Sequence, residues 1–466
     1  MQVNASFGSR IVYCLGAVAY GVKDSGFSTF MMLYFNQVLG LPAIYVGVAL
    51  LFAILVDAVT DPYVGHLSDG WRSRLGRRHP LMYTAILPAA FAYYIIWHPP
   101  SDLSHAALFV WLLVTTILAR ITITVFEVPN SAMLPELDRS YRGRTSLAGL
   151  RQMFGWIGGV VIAVFGFTVF LRPVGDVPGI LNREGYEQFV LLAALVMAGT
   201  MALSAGGTHR LIPLLPQAGD GKIGPGDDYV RLSFVQTCRR IMAQPLFRAL
   251  FAGTLCSSLV LGLTMTLQSY FAAFYFEQSA ARIGYIALAL TPAALAAYPM
   301  TNWMVSRWEK RGSALRLIIV SLCLGNIWII VKLVGLVPDN QHPVVFPMLV
   351  MNAFTGTLLL IALQIILVSM MGDLVEVNQR ESGLRADGLY MATYSLIRKA
   401  VTGFGIFLSG LLLTLGGDDE ITPDTMDMVA APYLALIVIL YALSYAFLKR
   451  YSMSRADHDA NLRALD

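Results

Sequence analysis

The chain has 466 residues, 56% of them hydrophobic and only 13% charged, with a formal net charge of +4. Soluble globular proteins carry about 25% charged residues, so water is not the principal solvent here, and so slight a positive balance gives no support to a nucleic-acid partner. A helix that crosses a bilayer needs about 20 mostly apolar residues, and this length accommodates about twelve of them with short loops, far more than an anchor requires.

Residues 1–10 form a short polar lead, and the apolar run behind it is too long for a cleaved signal peptide. Apolar runs fall at about 11–38, 41–66, 81–98, 105–131, 146–171 and 187–206, and again at about 246–276, 283–304, 315–337, 344–371, 389–416 and 428–448. Each is read as one transmembrane helix, segments 1 to 12. Between the sixth and seventh lies the polar stretch Gly207 to Pro245, with PQAGDGKIGPGDD followed by RLSFVQTCRR. The expected architecture is an all-α membrane protein: a six-helix bundle over 1–206, a cytoplasmic linker over 207–245, and a second six-helix bundle with a cytoplasmic tail over 246–466.

Taken in order, segment 1 carries Lys23 and Asp24, and segment 2 carries Asp57 and Asp61. The loop after segment 2 holds Asp69, Arg72, Arg74, Arg77 and Arg78. Segment 4 contains Arg120, Thr124 and Glu127, and segment 5 contains Arg151. After segment 8 come Arg307, Lys310 and Arg311; segment 9 holds Lys332, which sits near an end and can snorkel, and segment 11 holds Arg398 and Lys399. Loops after even-numbered segments are basic, whereas the opposite loops hold only Arg172, Arg183 and Arg282. Short cytoplasmic loops collect Lys and Arg, so both termini are expected in the cytoplasm.

Ionisable groups inside apolar runs cost about 2.5–3.5 kcal/mol each at a helix centre unless they line a wet cavity or pair. Asp57 and Asp61 are four residues apart and project from one helix face. Their mutual repulsion favours a cation between them or a shared proton, and Thr60 and Thr124 supply neutral oxygens for the same purpose. The competing reading is that one aspartate pairs with a base such as Lys399 and locks helices together. Asp24 and Glu127 are a second acidic set, suited to clustered hydroxyls because carboxylate oxygens only accept hydrogen bonds. Arg151 and Arg120 orient that set or hold helices. Asp69 with Arg77 and Arg78 is either the positive-inside signal or an ion-pair gate at the inner face.

The stretch from Asp57 to Pro80, DAVTDPYVGHLSDGWRSRLGRRHP, resembles the signature between segments 2 and 3 of the glycoside–pentoside–hexuronide:cation symporters, the melibiose permease group of the major facilitator superfamily. YGVKD at Tyr20–Asp24, EVPNSAMLPEL at Glu127–Leu137, RGRTSLAGLR at Arg142–Arg151 and the block Gly372–Lys399 are similar to further family segments, in order across both halves. The resemblance implies the major facilitator fold and Na⁺, Li⁺ or H⁺ symport by alternating access. It implies a cation site of Asp57, Thr60, Asp61 and Thr124, with Na⁺ on the two aspartates if sodium is the coupling ion. Asp24, Glu127 and Arg151 match sugar-recognition positions, with Lys23, Tyr394 and Ser395 as further substrate contacts and Lys399 as the coupling residue. Thr60 stands where the melibiose permeases have asparagine, and Glu127 where they have aspartate.

The expected function is cation-coupled symport of a glycoside or related polyhydroxylated solute in the plasma (inner) membrane, by a chain that suffices as a monomer and needs no cofactor. The alternative is a lysophospholipid or another amphiphile, since the animal sodium-dependent lysophosphatidylcholine transporters resemble the same family. An enzyme is not expected: HExxH and GxSxG are absent, and the four cysteines (Cys14, Cys238, Cys256, Cys323) have neither metal-site nor disulfide spacing.

Overall fold

The computed structural model describes residues 6–137, 141–215, 244–382, 387–417 and 421–453, without the side chains of residues 58, 141, 142, 144, 145, 214, 375–382 and 387–397. Most of the expected linker, with Lys222, Arg231, Arg239 and Arg240, lies outside those residues. The described residues are helical apart from loops and one isolated bridge between Val174 and Val177. In a hydrocarbon solvent every backbone N–H and C=O must be satisfied within its own segment, and helices do this locally.

The first compact unit is 1–224 together with Ser279–Leu288. It contains α1 (Phe7–Ser25), α2 (Ala43–Gly70), α3 (His79–Ile96), α4 (His105–Ala132), α5 (Tyr141–Phe165) and α6 (Arg183–Thr208). Ser6 caps α1 by accepting the Ser9 N–H, and α1 runs on through π-helical turns at Gly26–Phe30 and Leu33–Val38. Helix α1 packs against α5 and α6, α4 against α2 and α3, and α3 against α6. The α1–α5 crossing depends on glycine: a Cβ on Gly21 would lie 1.9 Å from the Gly155 carbonyl oxygen. Small residues at such crossings let backbones approach closely where lipid supplies no hydrophobic drive between helices. The helix α8 (Ala280–Leu288) also packs on α5 and on the turn Gly166–Phe170 in this unit.

The second unit is Pro225–Gln278 with Ala289–Asp466. Its helices are α7 (Pro245–Tyr270), α9 (Leu290–Leu324), α10 (Ile327–Leu333), α11 (Val345–Ser382), α12 (Asp387–Leu415) and α13 (Pro423–Lys449). Helix α7 packs against α12 and α13, and α9 against α11 and α13. The pattern repeats that of the first unit, with α7 in the place of α1. The repeat extends to the close crossing, since a Cβ on Gly262 would lie 2.2 Å from the Thr402 carbonyl oxygen on α12.

Ten helical stretches among the described residues are long and apolar enough to cross a membrane. One of them, Ala280–Leu333, is 54 residues long. It comprises α8, α9 and α10, far more residues than one crossing needs, and α9 bends at Glu309, whose φ of 59° and ψ of 172° are non-helical. Helix α1 is outside the ten.

Candidate cation and substrate site

The residues singled out from the sequence on α1, α2 and α4 meet inside the first unit. Arg120, Thr124 and Glu127 occupy positions i, i+4 and i+7 of α4, which bring three polar side chains onto one helical stripe. Facing that stripe are Asp57 and Asp61 of α2 and Lys23 of α1.

Arg120 forms an ion pair with Asp57, its Nη1 donating to Oδ2, and both side chains are about nine-tenths buried. The other oxygen of that carboxylate, Asp57 Oδ1, is buried without a hydrogen-bond partner, as is Arg120 Nε. The Arg120 guanidinium also lies over the Phe27 ring at 5.0 Å, which ties it to the continuation of α1. One turn along α4, Thr124 Oγ1 donates to Asp61 Oδ1 at 3.1 Å. Thr60 donates its hydroxyl to the Val56 carbonyl one turn back on its own helix at 3.1 Å, so its oxygen keeps lone pairs for a further partner. Arg120 places a positive charge against Asp57, which offsets the repulsion between the two aspartates.

On the adjoining side Lys23, only 5% exposed, donates to Glu127 Oε2 at 3.2 Å and lies 3.5 Å from Asp24 Oδ1. Its ammonium also sits over the Tyr20 ring at 4.3 Å. The Asp24 side chain is half exposed and the Glu127 side chain one-fifth exposed, more than the Asp57–Arg120 pair.

Arg151, on α5, forms no ion pair with Asp24 or Glu127 among the described residues, and its Nε is buried without a hydrogen-bond partner. Lys399 is half-buried on α12 of the second unit. Tyr394 and Ser395 fall on α12, but their side chains lie outside those the structure describes.

Asp69, Arg77 and Arg78 converge on a residue the sequence reading did not single out. Glu136 Oε1 accepts from Arg77 Nη2 at 2.6 Å and from Arg78 Nε at 2.8 Å, while Asp69 Oδ1 lies 3.3 Å from Arg78 Nη2. Glu136 is 8% exposed, and its Oε2 meets no partner. Its place nine residues after Glu127 in the quoted motif was the available signal. The second unit carries an equivalent pair: Lys310, after the bend in α9, holds both oxygens of Asp373 near the end of α11 at 2.6 and 2.7 Å. Burial and the Asp373 carboxylate push the phenol of neighbouring Tyr451 above its usual range.

Two further polar groups were missed or read differently. Buried Ser204 accepts from Asn130 Nδ2 at 3.2 Å and donates to the Tyr13 carbonyl at 3.0 Å, joining α4, α6 and α1. Lys332 does not run free to the interface; it donates to Asn340 Oδ1 at 2.6 Å and to the Tyr275 carbonyl.

A family model described as "MFS/sugar transport protein" matches residues 12–455. The chain is 22% identical over 458 residues to the isoprimeverose transporter of Lactiplantibacillus pentosus, covering 96% of this chain and 89% of that protein. It is 23% identical over 328 residues to the sodium-dependent lysophosphatidylcholine symporter 1 of Mus musculus, covering 65% and 60% of the two chains. Among solved structures, the inward open xylose transporter XylE from E. coli matches with a TM-score of 0.64 at 11% identity, over 98% of this chain and 99% of that one. That likeness is one of fold. A helical, multi-pass plasma-membrane chain whose family model covers nearly its whole length belongs to the MFS/sugar transport protein family, and its fold and relatives are those of secondary transporters.

Proposed function

We propose that this protein is a cation-coupled symporter of a glycoside or related polyhydroxylated solute. The single observation behind the reading is the division of labour on the α4 stripe: Arg120 and Thr124 hold the α2 aspartates, while Glu127 and Lys23 form a separate, partly exposed polar group. Na⁺ prefers hard oxygen ligands, and the Asp57, Asp61, Thr60 and Thr124 side chains offer a set of that chemistry. A bound cation competes with Arg120 for Asp57 and replaces Thr124's donated hydrogen bond by a lone-pair contact. Protonation of an aspartate weakens the same ion pair, so H⁺ coupling runs through the same groups. Asp24, Glu127 and Lys23 recognise hydroxyls on the substrate, with Arg151 on the same path, and Tyr394, Ser395 and Lys399 act from α12.

The topology that goes with this reading has twelve crossings: α1 counts as one despite its charges, and the 54-residue stretch counts as two because of its bend at Glu309. Both termini are cytoplasmic, and 1–206 and 246–466 form two six-helix halves around the linker 207–245. Alternating access follows, with Asp69, Arg77, Arg78 and Glu136 closing the inner side. One chain supplies both halves, so a monomer suffices.

Uptake of a panel of labelled glycosides into proteoliposomes, under an imposed Na⁺ or H⁺ gradient, tests the proposal. Concentrative uptake that collapses when the gradient is dissipated supports it; uptake indifferent to both gradients overturns it. The similarity to a lysophosphatidylcholine symporter favours a second reading, in which the solute is a lysophospholipid. Gradient-driven lysolipid movement with no glycoside uptake selects that reading.

A further inference from the structure

We infer that the bend in α9 is a binding site for the headgroup of an anionic phospholipid. Apolar residues 290–301 precede the bend and 317–324 follow it, so the bend lies at a membrane surface, and basic loops place it on the cytoplasmic side, as in the proposed topology. Trp303 is 56% exposed, and its ring meets that of Trp308 edge-on, at 5.2 Å and 79°. Tryptophan at this position marks the headgroup level, where one part of the indole is apolar and one is wet.

Around those rings the three arginines, among the described residues, pair with no carboxylate. Lys310 is neutralised by Asp373 and drops out. The Arg316 guanidinium lies over the Trp308 ring at 4.7 Å, and among the described residues its hydrogen bond is to the Gly312 carbonyl. Arg311 donates to the Lys449 carbonyl at 2.5 Å, which brings the Lys449–Arg450 end of α13 alongside, and its buried Nε meets no acceptor. Arg307 is exposed and has no ion pair or hydrogen bond among the described residues. Glu309, at the bend itself, is the one acid between Trp303 and Arg316.

The positive-inside rule accounts for cations here but not for their geometry. Exposed Arg316 over the Trp308 ring, with exposed Arg307 and exposed Trp303 at the same bend, offers planar guanidinium donors to a phosphate oxygen at the depth where lipid phosphates sit. A free phosphate ion shares that chemistry but makes no use of Trp303; a phospholipid satisfies both.

Native mass spectrometry of the full-length transporter, delipidated and then titrated with phosphatidylglycerol or phosphatidylcholine, tests this. Each Lys or Arg near an anionic surface strengthens binding about fivefold, so Arg307→Gln with Arg316→Gln weakens phosphatidylglycerol retention about 25-fold. The control is Arg72→Gln with Arg74→Gln, two exposed arginines in the other unit, which leaves retention nearly unchanged. Equal loss in the two double variants, equal retention in both, no preference over phosphatidylcholine, or displacement by millimolar inorganic phosphate each overturns the assignment.

Discussion

Arg120 on α4 and Asp57 on α2 form a buried ion pair 63 positions apart in the chain, and one carboxylate oxygen of that pair remains without a hydrogen-bond partner. A buried charge stripped of its partner costs about 3–5 kcal/mol. Arg120→Gln therefore lowers stability by about that amount, read as a fall in the melting temperature of the detergent-solubilised protein. Combining it with Asp57→Asn restores most of the melting temperature, because no charge is left unpaired. Coupled uptake stays absent in the double variant; recovery of transport along with stability refutes the coupling role.

Thr124→Val keeps the shape of the side chain and removes the donor to Asp61. In the proposed cation-bound state this hydroxyl gives the ion a lone pair in place of the hydrogen bond, so valine removes a ligand and cation affinity falls. The measurement is the Na⁺ or H⁺ concentration that gives half-maximal uptake. Thr124→Ser preserves the oxygen and restores the wild-type value.

Glu127→Gln leaves the Lys23 ammonium with Asp24 as its remaining acidic contact. We expect solute affinity to fall at least about tenfold, since one charged hydrogen-bonding partner is lost, while half-saturation by the cation changes little. A shift in cation dependence as large as the shift in solute dependence argues that the two groups are one site.

Glu136→Gln removes the charge shared by Arg77 and Arg78. Three charged hydrogen bonds weaken, and stability falls by about 2–3 kcal/mol. If the cluster also closes the inner side, an introduced cysteine on the adjoining α2 surface, at Gly65, reacts faster with a membrane-impermeant thiol reagent applied from inside.

Gly21→Ala drives a methyl into the Gly155 carbonyl oxygen, a backbone atom that cannot swing away. The α1–α5 crossing must open, and the expected outcome is loss of folded protein in fluorescence-detection size-exclusion chromatography. Gly8→Ala, where a Cβ meets nothing within 4 Å, serves as the tolerated control.

How much of this was legible from the residues differs between levels. The membrane solvent, the helical class and the family follow from apolar run lengths and from motifs such as Asp57–Pro80, because hydrocarbon admits few backbone solutions. The polar residues of α4 also stood out, since a charge in an apolar run is expensive wherever it ends up. The partner of each charge did not. Arg120, which the sequence offered as orienting the second acidic set or holding helices, holds Asp57. Glu136 carried no role in the sequence reading, and two arginines close on it.

The sequence by itself determined which solvent surrounds the chain and which carboxylates sit where hydration is lost, because both depend on local composition and spacing. Only the tertiary structure decided that Arg120 meets Asp57, that Thr124 meets Asp61 and that Lys23 meets Glu127. Those pairings depend on how α1, α2 and α4 rotate and cross, and that is set by steric contacts between distant residues, such as the glycine at position 21 against the backbone of α5.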